Sequence, residues 1–281
     1  MDIKLELNNL IENNKNCFTF ANLTNETIKL ANDLLRDQVK TDELFITEGM
    51  WSYPYIKQNN INVEAVIINP ESVKSETGLE LIKYYMFKTK MFIISEKVLN
   101  KLTNRNDENG IYIIGKLPKY NFNEIFKRDK CIVCVLDGIE KSGNIGTILR
   151  SCDATQIDGL ILVNRRAKLT NTKSVKGSMG AIFSVPTINY DSCDGLIADL
   201  KNNGFSIYLA DTRAEIDYFN FKYDNKVAIV MGSERYGISS TWLKHEPQLI
   251  KLKMLGQCDS LNVGVATSIF LYDIKMKQLG E

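Results

Sequence analysis

From Lys130 onward the chain alternates continuous apolar runs with helical stretches, and that alternation limits the fold more than any other feature. The runs at 131–136, 159–163, 206–210, 226–231 and 249–254 read as strands. Most lack a polar/apolar alternation, so a sheet built from them needs cover on both faces. Helical spacing at 145–155, 192–203 and 263–277 supplies that cover. Strands that alternate with helices in this way form a parallel α/β sheet.

The preceding residues carry a second, smaller pattern. Apolar positions recur at helical spacing over 22–40, with Thr24 or Asn25 as the cap and Glu26 in the first turn. Short apolar runs at 44–47, 63–68, 91–95 and 111–115 read as strands, with helices at 80–88 and 96–102 between them. This predicts a small α/β sandwich with a largely parallel sheet. Residues 118–129 contain Pro118, lose periodicity and gain charge, which reads as a linker. The expected organisation is a domain at 1–117, a linker at 118–129 and a domain at 130–281.

Composition excludes several classes. A net charge of +1 over 281 residues rules out a polybasic nucleic-acid binder, so any affinity for RNA must come from local patches and shape. No apolar run approaches the length of a membrane span, and the polar, mixed-charge start lacks a signal core, which reads as cytoplasmic. Cys131 and Cys134 form a CxxC, but on a strand residues three apart face opposite ways, so both read as buried small hydrophobes. With His245 as its one histidine, the chain has no material for a multi-histidine metal site or a relay of histidines.

Three segments at the C-terminal ends of predicted strands carry chemical potential, since open α/β sheets bind ligands there. The first runs from Val135 to Arg150, with Gly143 and Gly146 in a tight turn, Asn144 at the helix start and Arg150 about a turn and a half later. Alone, it also reads as a capped helix with a surface arginine, and it lacks the G-x-G-x-x-G of a dinucleotide loop. The second runs from Val227 to Ser239. There Gly232 ends a buried strand, where a ligand or another backbone can approach closely. Glu234 and Arg235 follow. The third runs from Leu252 to Leu271, with Ser260 and Asn262 suited to start a helix and Gly264, Ala266 and Ser268 suited to close packing.

In this order and spacing, Asn144-x-Gly146-x-x-x-Arg150, Gly232-Ser-Glu234 and Ser260-Leu-Asn262-Val resemble the three motifs of the SpoU/TrmH branch of the SPOUT methyltransferases. The segments VLDG…GNIG…R, FSVP at 183–186 and Q-x-x-SLNV at 257–263 are similar to the thiostrepton-resistance type of 23S rRNA methyltransferase. The first half resembles that family's L30e/L7Ae-like RNA-binding domain, with Phe45-Ile-Thr-Glu-Gly49 as its best fragment.

The resemblance implies a C-terminal domain tied in a trefoil knot, a homodimer, and S-adenosylmethionine bound in the knot. The matching cofactor positions are Leu209, Ala210, Gly232, Leu252, Met254 and Leu261. It implies transfer of a methyl group to a ribose 2′-hydroxyl of RNA, 23S rRNA by analogy, with thiopeptide resistance as a further implication. DNA and membranes are not expected partners, and no metal is required. Arg150 is the group at the hydroxyl, and Asn144, Glu234, Ser260 and Asn262 orient it, the ribose and the cofactor. Asn144 and Arg150 are expected to face the partner subunit's pocket. A free arginine has a pKa of about 12.5 or more, and reaching pH 8 as a base would cost roughly 6 kcal/mol. A charged guanidinium that stabilises the alkoxide demands less.

RNA contacts are expected from the loop 164–176, through Arg165, Lys173 and Lys176, with Arg166 and Lys168 beside them. The family type places an arginine before the glycine that matches Gly180, whereas Met179 stands there in this chain. Two other readings remain at this stage: a catalytically inactive RNA-binding or ribosome-assembly protein, and a methyltransferase for a base nitrogen.

Overall fold

A computed structural model describes residues 2–102 and 110–280. The chain divides into two compact units. The first holds the residues up to Pro118 together with Thr170–Lys176, and the second holds Lys119–Leu169 and the residues from Gly177 onward.

The first unit contains α1 (Ile3–Asn13), β1 (Phe18–Phe20), α2 (Glu26–Leu35), β2 (Leu44–Glu48), α3 (Tyr53–Gln58), β3 (Asn62–Ile68), α4 (Glu76–Tyr85), β4 (Lys90–Ile93), α5 (Glu96–Leu102) and β5 (Ile111–Lys116). Asn25 caps α2, its side-chain oxygen accepting from the N–H groups of Thr27 and Ile28, and thereby starts the helix four residues later than the spacing alone suggests. Ile28, Ala31 and Leu34 then face a core with Ile46, Ile67, Tyr112 and Ile114. The five-stranded sheet has the order β1-β4-β3-β5-β2. It is mixed, not largely parallel: β5 pairs antiparallel with both β3 and β2. Residues Ile111–Gly115 are buried without a break, and a strand covered on both faces looks the same in sequence whichever way it runs.

The second unit begins inside the expected linker. Here α6 (Phe122–Ile125) is capped by Asn121, and Ile125 and Phe126 enter the core against Cys131, Phe205 and Leu200. Phe122, Ile125 and Phe126 stand at i, i+3 and i+4, a helical stripe that the surrounding charges hide. Then come β6 (Cys131–Asp137), α7 (Ser142–Ala154), β7 (Gly159–Val163), α8 (Thr172–Gly177), β8 (Thr187–Asn189), α9 (Cys193–Asn202), β9 (Ser206–Ala210), β10 (Lys226–Gly232), α10 (Ser240–Leu243), β11 (Gln248–Ile250) and α11 (Val263–Leu279). Residues of α8 up to Lys176 group with the first unit.

The sheet order is β11-β9-β10-β6-β7-β8, and every pairing is parallel, as the uniform apolar runs predict. Register sets Gly232 of β10 opposite Asp137 of β6, so both strands end at one edge. Cys131 lies in the core with Val133 and Val135, while Cys134 points to the other face. Burial pushes the Cys131 thiol up to about 12, so it is an inert hydrophobe. Strand β11 is shorter than expected. After Ile250 the chain leaves the sheet, and the N–H of Lys251 donates to Ile216.

Helix α11 packs along α7. A side chain at Gly264 would meet Thr147 at 3.0 Å, so the glycine sets the close crossing. One turn further on, the hydroxyls of Ser151 and Ser268 lie 2.6 Å apart.

Candidate active site

A cavity of about 640 Å³ opens at the C-terminal ends of β9, β10 and β11. Its size suits a small-molecule ligand, for which about 300–1,000 Å³ is usual. Ala210, Met231, Leu252, Met254, Leu261, Ala266 and Phe270 form apolar wall, and Asp211 and Glu234 bring carboxylates to it.

Gly232 shapes the floor. A Cβ there would lie 2.3 Å from the carbonyl carbon of Gly237 and 2.4 Å from the nitrogen of Ile238. The closely approaching group is therefore the chain's own backbone. Residues 233–237 fold back on themselves: Ser233 and Gly237 exchange N–H···O bonds of 3.0 and 2.9 Å, and Ser233 Oγ accepts from the N–H of Tyr236.

This turn delivers Glu234 to the start of α7. Its Oε2 accepts from the N–H of Glu140 at 3.1 Å, and its Oε1 accepts from Asn144 Nδ2 at 2.5 Å. Asn144 Oδ1 then accepts from Asn262 Nδ2 at 3.2 Å. Asn262 Oδ1 accepts from the N–H of Gly264 at 2.9 Å and caps α11. Each link fixes the next. A carboxylate only accepts, so it turns the Asn144 amide nitrogen toward itself, and the two amides align in sequence. Burial alone would raise the Glu234 carboxyl, but the N–H groups of Glu140 and Lys141, its own backbone and the Asn144 amide outweigh this. They hold the group below the ordinary carboxylate value.

Three of the five expected catalytic residues thus meet through side chains of one chain. Asn144 is engaged with Glu234 and Asn262 of its own chain, whereas the resemblance has it face a partner. Ser260 lines the same cavity without joining the hydrogen-bonded series. Arg150 stands apart: it is exposed on α7, away from the cavity lining, and makes no hydrogen bond or ion pair among the described residues. Of the expected cofactor positions, Ala210, Gly232, Leu252, Met254 and Leu261 line the cavity, while the Leu209 side chain is buried in the sheet core. Arg165, Lys173 and Lys176 are exposed, and Met179 is half exposed with a left-handed backbone (φ 49°).

Two carboxylates escaped the sequence reading. Asp137 is 2% exposed at the end of β6. Its Oδ1 accepts from Asn164 Nδ2 at 2.7 Å and its Oδ2 from the N–H of Ser239 at 2.6 Å, so it ties the loop after β7 to the loop after β10. Asp211, on the cavity wall, is gripped by Arg213 through Nε and Nη2 at 3.0 and 2.7 Å. That guanidinium, against the opposing effect of burial, keeps the Asp211 carboxyl below its usual value. An aspartate at the C-terminal end of a buried strand, the last residue of β6 and the first after β9, was the available signal.

The parallel sheet sets a ligand-sized cavity at its C-terminal edge, where open α/β sheets bind ligands, and comparison with known proteins supplies the class, a methyltransferase. The model of the SpoU rRNA Methylase family matches residues 131–272, and the chain belongs to that family. A TrmH family tRNA/rRNA methyltransferase of Staphylococcus aureus (strain COL) is 32% identical over 262 residues, covering 90% of this chain and 97% of the relative. The chain is also similar to the SpoU methyltransferase AviRb from Streptomyces viridochromogenes, solved in complex with the cofactor AdoMet. The TM-score is 0.82 at 22% identity, covering 91% of this chain and 98% of that one. A solved RNA 2′-O ribose methyltransferase gives a TM-score of 0.75 at 25% identity, covering 93% and 99%.

Proposed function

We propose that this protein is a dimeric RNA methyltransferase that uses S-adenosylmethionine to methylate a ribose 2′-hydroxyl, with 23S rRNA as its substrate. The observation that carries the reading is the unbroken series Glu234–Asn144–Asn262 beside the cavity. The series holds Glu234, Asn144 and Asn262 in fixed orientation beside the cavity, where a substrate group can meet them.

The cavity fits the cofactor. Apolar wall suits an adenine, and the ionised Glu234 suits a positively charged ligand. Ala210, Gly232, Leu252, Met254 and Leu261 would hold it. When bound, the cofactor supplies an electrophilic methyl group on a sulfonium. The chain's own residues do the rest. Leu252, Met254 and Leu261 exclude water along one wall. Asn144 and Asn262, locked by Glu234 at one end and by the N-terminus of α11 at the other, present fixed dipoles toward the ribose. Arg150, from the second copy, supplies a charged guanidinium to the developing alkoxide, whose proton passes to water.

Helix α11 supports the dimer. Its first ten residues, Val263–Tyr272, carry no charge, yet Val265 and Tyr272 are 47% and 46% exposed in one chain. They stand seven residues apart, on one face of the helix. A copy seated on α7 and α11 would cover both residues and reach Arg150. A trefoil threading of the second unit is part of the same proposal. The first unit, with helices between its strands, is proposed as the L30e/L7Ae-like RNA-binding domain, and the unit division supports the two-domain organisation.

The test is incubation with labelled S-adenosylmethionine and total rRNA, followed by nucleoside mass spectrometry. A 2′-O-methylated nucleoside is expected, with no transfer to a deoxy version of the same sequence. A methylated base, or no cofactor binding by calorimetry, would overturn the reading.

A further inference from the structure

One exposed group beside the cavity is not used by the chemistry above. Tyr236, at the tip of the turn after β10, lines the cavity and keeps 60% of its surface exposed. Two guanidinium groups lie over its ring: Arg166 at 4.6 Å from the centroid and Arg235 at 5.2 Å. Arg166 comes from the loop after β7, where Asn164 adopts a left-handed turn (φ 50°). It is further held by a 2.7 Å ion pair with Glu140, whose own N–H binds Glu234.

The buried Asp137 explains how the pair is aligned. One carboxylate oxygen holds Asn164, two residues before Arg166, and the other holds Ser239, three residues after Tyr236. A single buried group thus fixes both loops, whose tips meet as an exposed aromatic ring flanked by two guanidinium groups, one of them paired with Glu140. An exposed tyrosine packed on arginines is poor core and good recognition surface. Its π-face accepts a base of any identity, and its guanidinium groups attract phosphates.

We propose that Tyr236, flanked by Arg166 and Arg235, is the stacking platform for an unpaired nucleobase of the RNA, next to the ribose presented to the cavity. The inference rests on the proposed function and adds the element that selects single-stranded RNA. A nucleotide inside a duplex is already stacked and has no face to offer.

The experiment measures binding of a short fluorescein-labelled single-stranded oligoribonucleotide by anisotropy, and S-adenosylmethionine binding by calorimetry. Tyr236→Ala is expected to weaken RNA binding about tenfold. Tyr236→Leu, which keeps bulk but loses the flat ring, weakens it similarly, and Tyr236→Phe restores it. Arg166→Ala lowers RNA affinity and flattens its salt dependence. In turnover, the loss falls on KM for RNA more than on kcat. Unchanged RNA affinity in Tyr236→Ala would overturn the platform, as would an equal loss of cofactor binding, which would make Tyr236 a wall of the cofactor cavity. A wild-type protein that binds no RNA would overturn the functional reading itself.

Discussion

The two ends of α7 differ in how their polar side chains are satisfied. Asn144, in the first turn, is bonded on both sides, to Glu234 and to Asn262. Arg150, six residues on, is exposed and makes no bond among the described residues. Six residues advance a helix by about 9 Å and turn it to another face, about 120° away. The same helix therefore serves two surfaces. Its start completes a cavity within one chain, and its later turns offer a cation to whatever docks outside. On the proposed function, the scaffold of the site is settled within one chain and its charge is left to assembly.

Breaking the exposed end should cost the most activity and the least stability. Arg150→Ala is expected to lower methyl transfer by about 10²–10³-fold, the usual loss when one charge-stabilising donor is removed. Its melting temperature should hardly move, because an exposed, unbonded side chain contributes within about 0.5 kcal/mol. Parallel turnover and thermal-melt measurements check both halves.

The cavity end should behave in the opposite way. Gly232→Ala places a methyl group inside the Gly237–Ile238 backbone and should destabilise the second unit by about 3 kcal/mol, measured by denaturant unfolding. Asp137→Ala leaves the half-buried N–H of Ser239 and the Asn164 amide without their acceptor, at about 2 kcal/mol. Near-wild-type stability in either variant would erase the distinction between the two ends.

The smallest effect is a pH dependence. The folded Glu234 carboxyl lies below its ordinary value of 4.5. Its contribution to stability is therefore full above about pH 4.5 and is lost as pH falls through the depressed folded value. Acid unfolding of Glu234→Gln should show a weaker slope in that window than the wild type. An identical slope would mean that the carboxylate does not anchor the series.

Much of the second unit was legible in its residues. Continuous apolar runs announced buried parallel strands, and Asn144, Glu234 and Asn262 were marked by the resemblance of the three motifs to the SpoU/TrmH methyltransferases, not by any one motif alone. What escaped has physical reasons. Strand direction leaves no mark when both faces are covered, so β5 passed for a parallel strand. The stripe Phe122, Ile125 and Phe126 was masked by the run of charges, Lys127–Lys130, that follows it. Leu209 and Ala210 are neighbours in sequence, but alternation along β9 sends the Leu209 side chain into the core while Ala210 reaches the cavity. Asp137 carries no mark in the sequence beyond its place at the end of a buried strand, because its role lies in two loops distant in the chain that share it.

The central claim is that the cavity of one chain is served by Arg150 of another. Mixed dimers test it directly. Arg150→Ala lacks the cation but keeps an intact cavity, and Asn262→Ala breaks the cavity series but keeps the cation. Each variant alone should be nearly inactive. Co-expressed, half of the dimers are mixed and each of these holds one intact site, so methyl transfer should recover to about one quarter of wild type. No recovery in mixed dimers confirmed by mass would contradict the claim and place Arg150 outside the reaction or within its own chain's site.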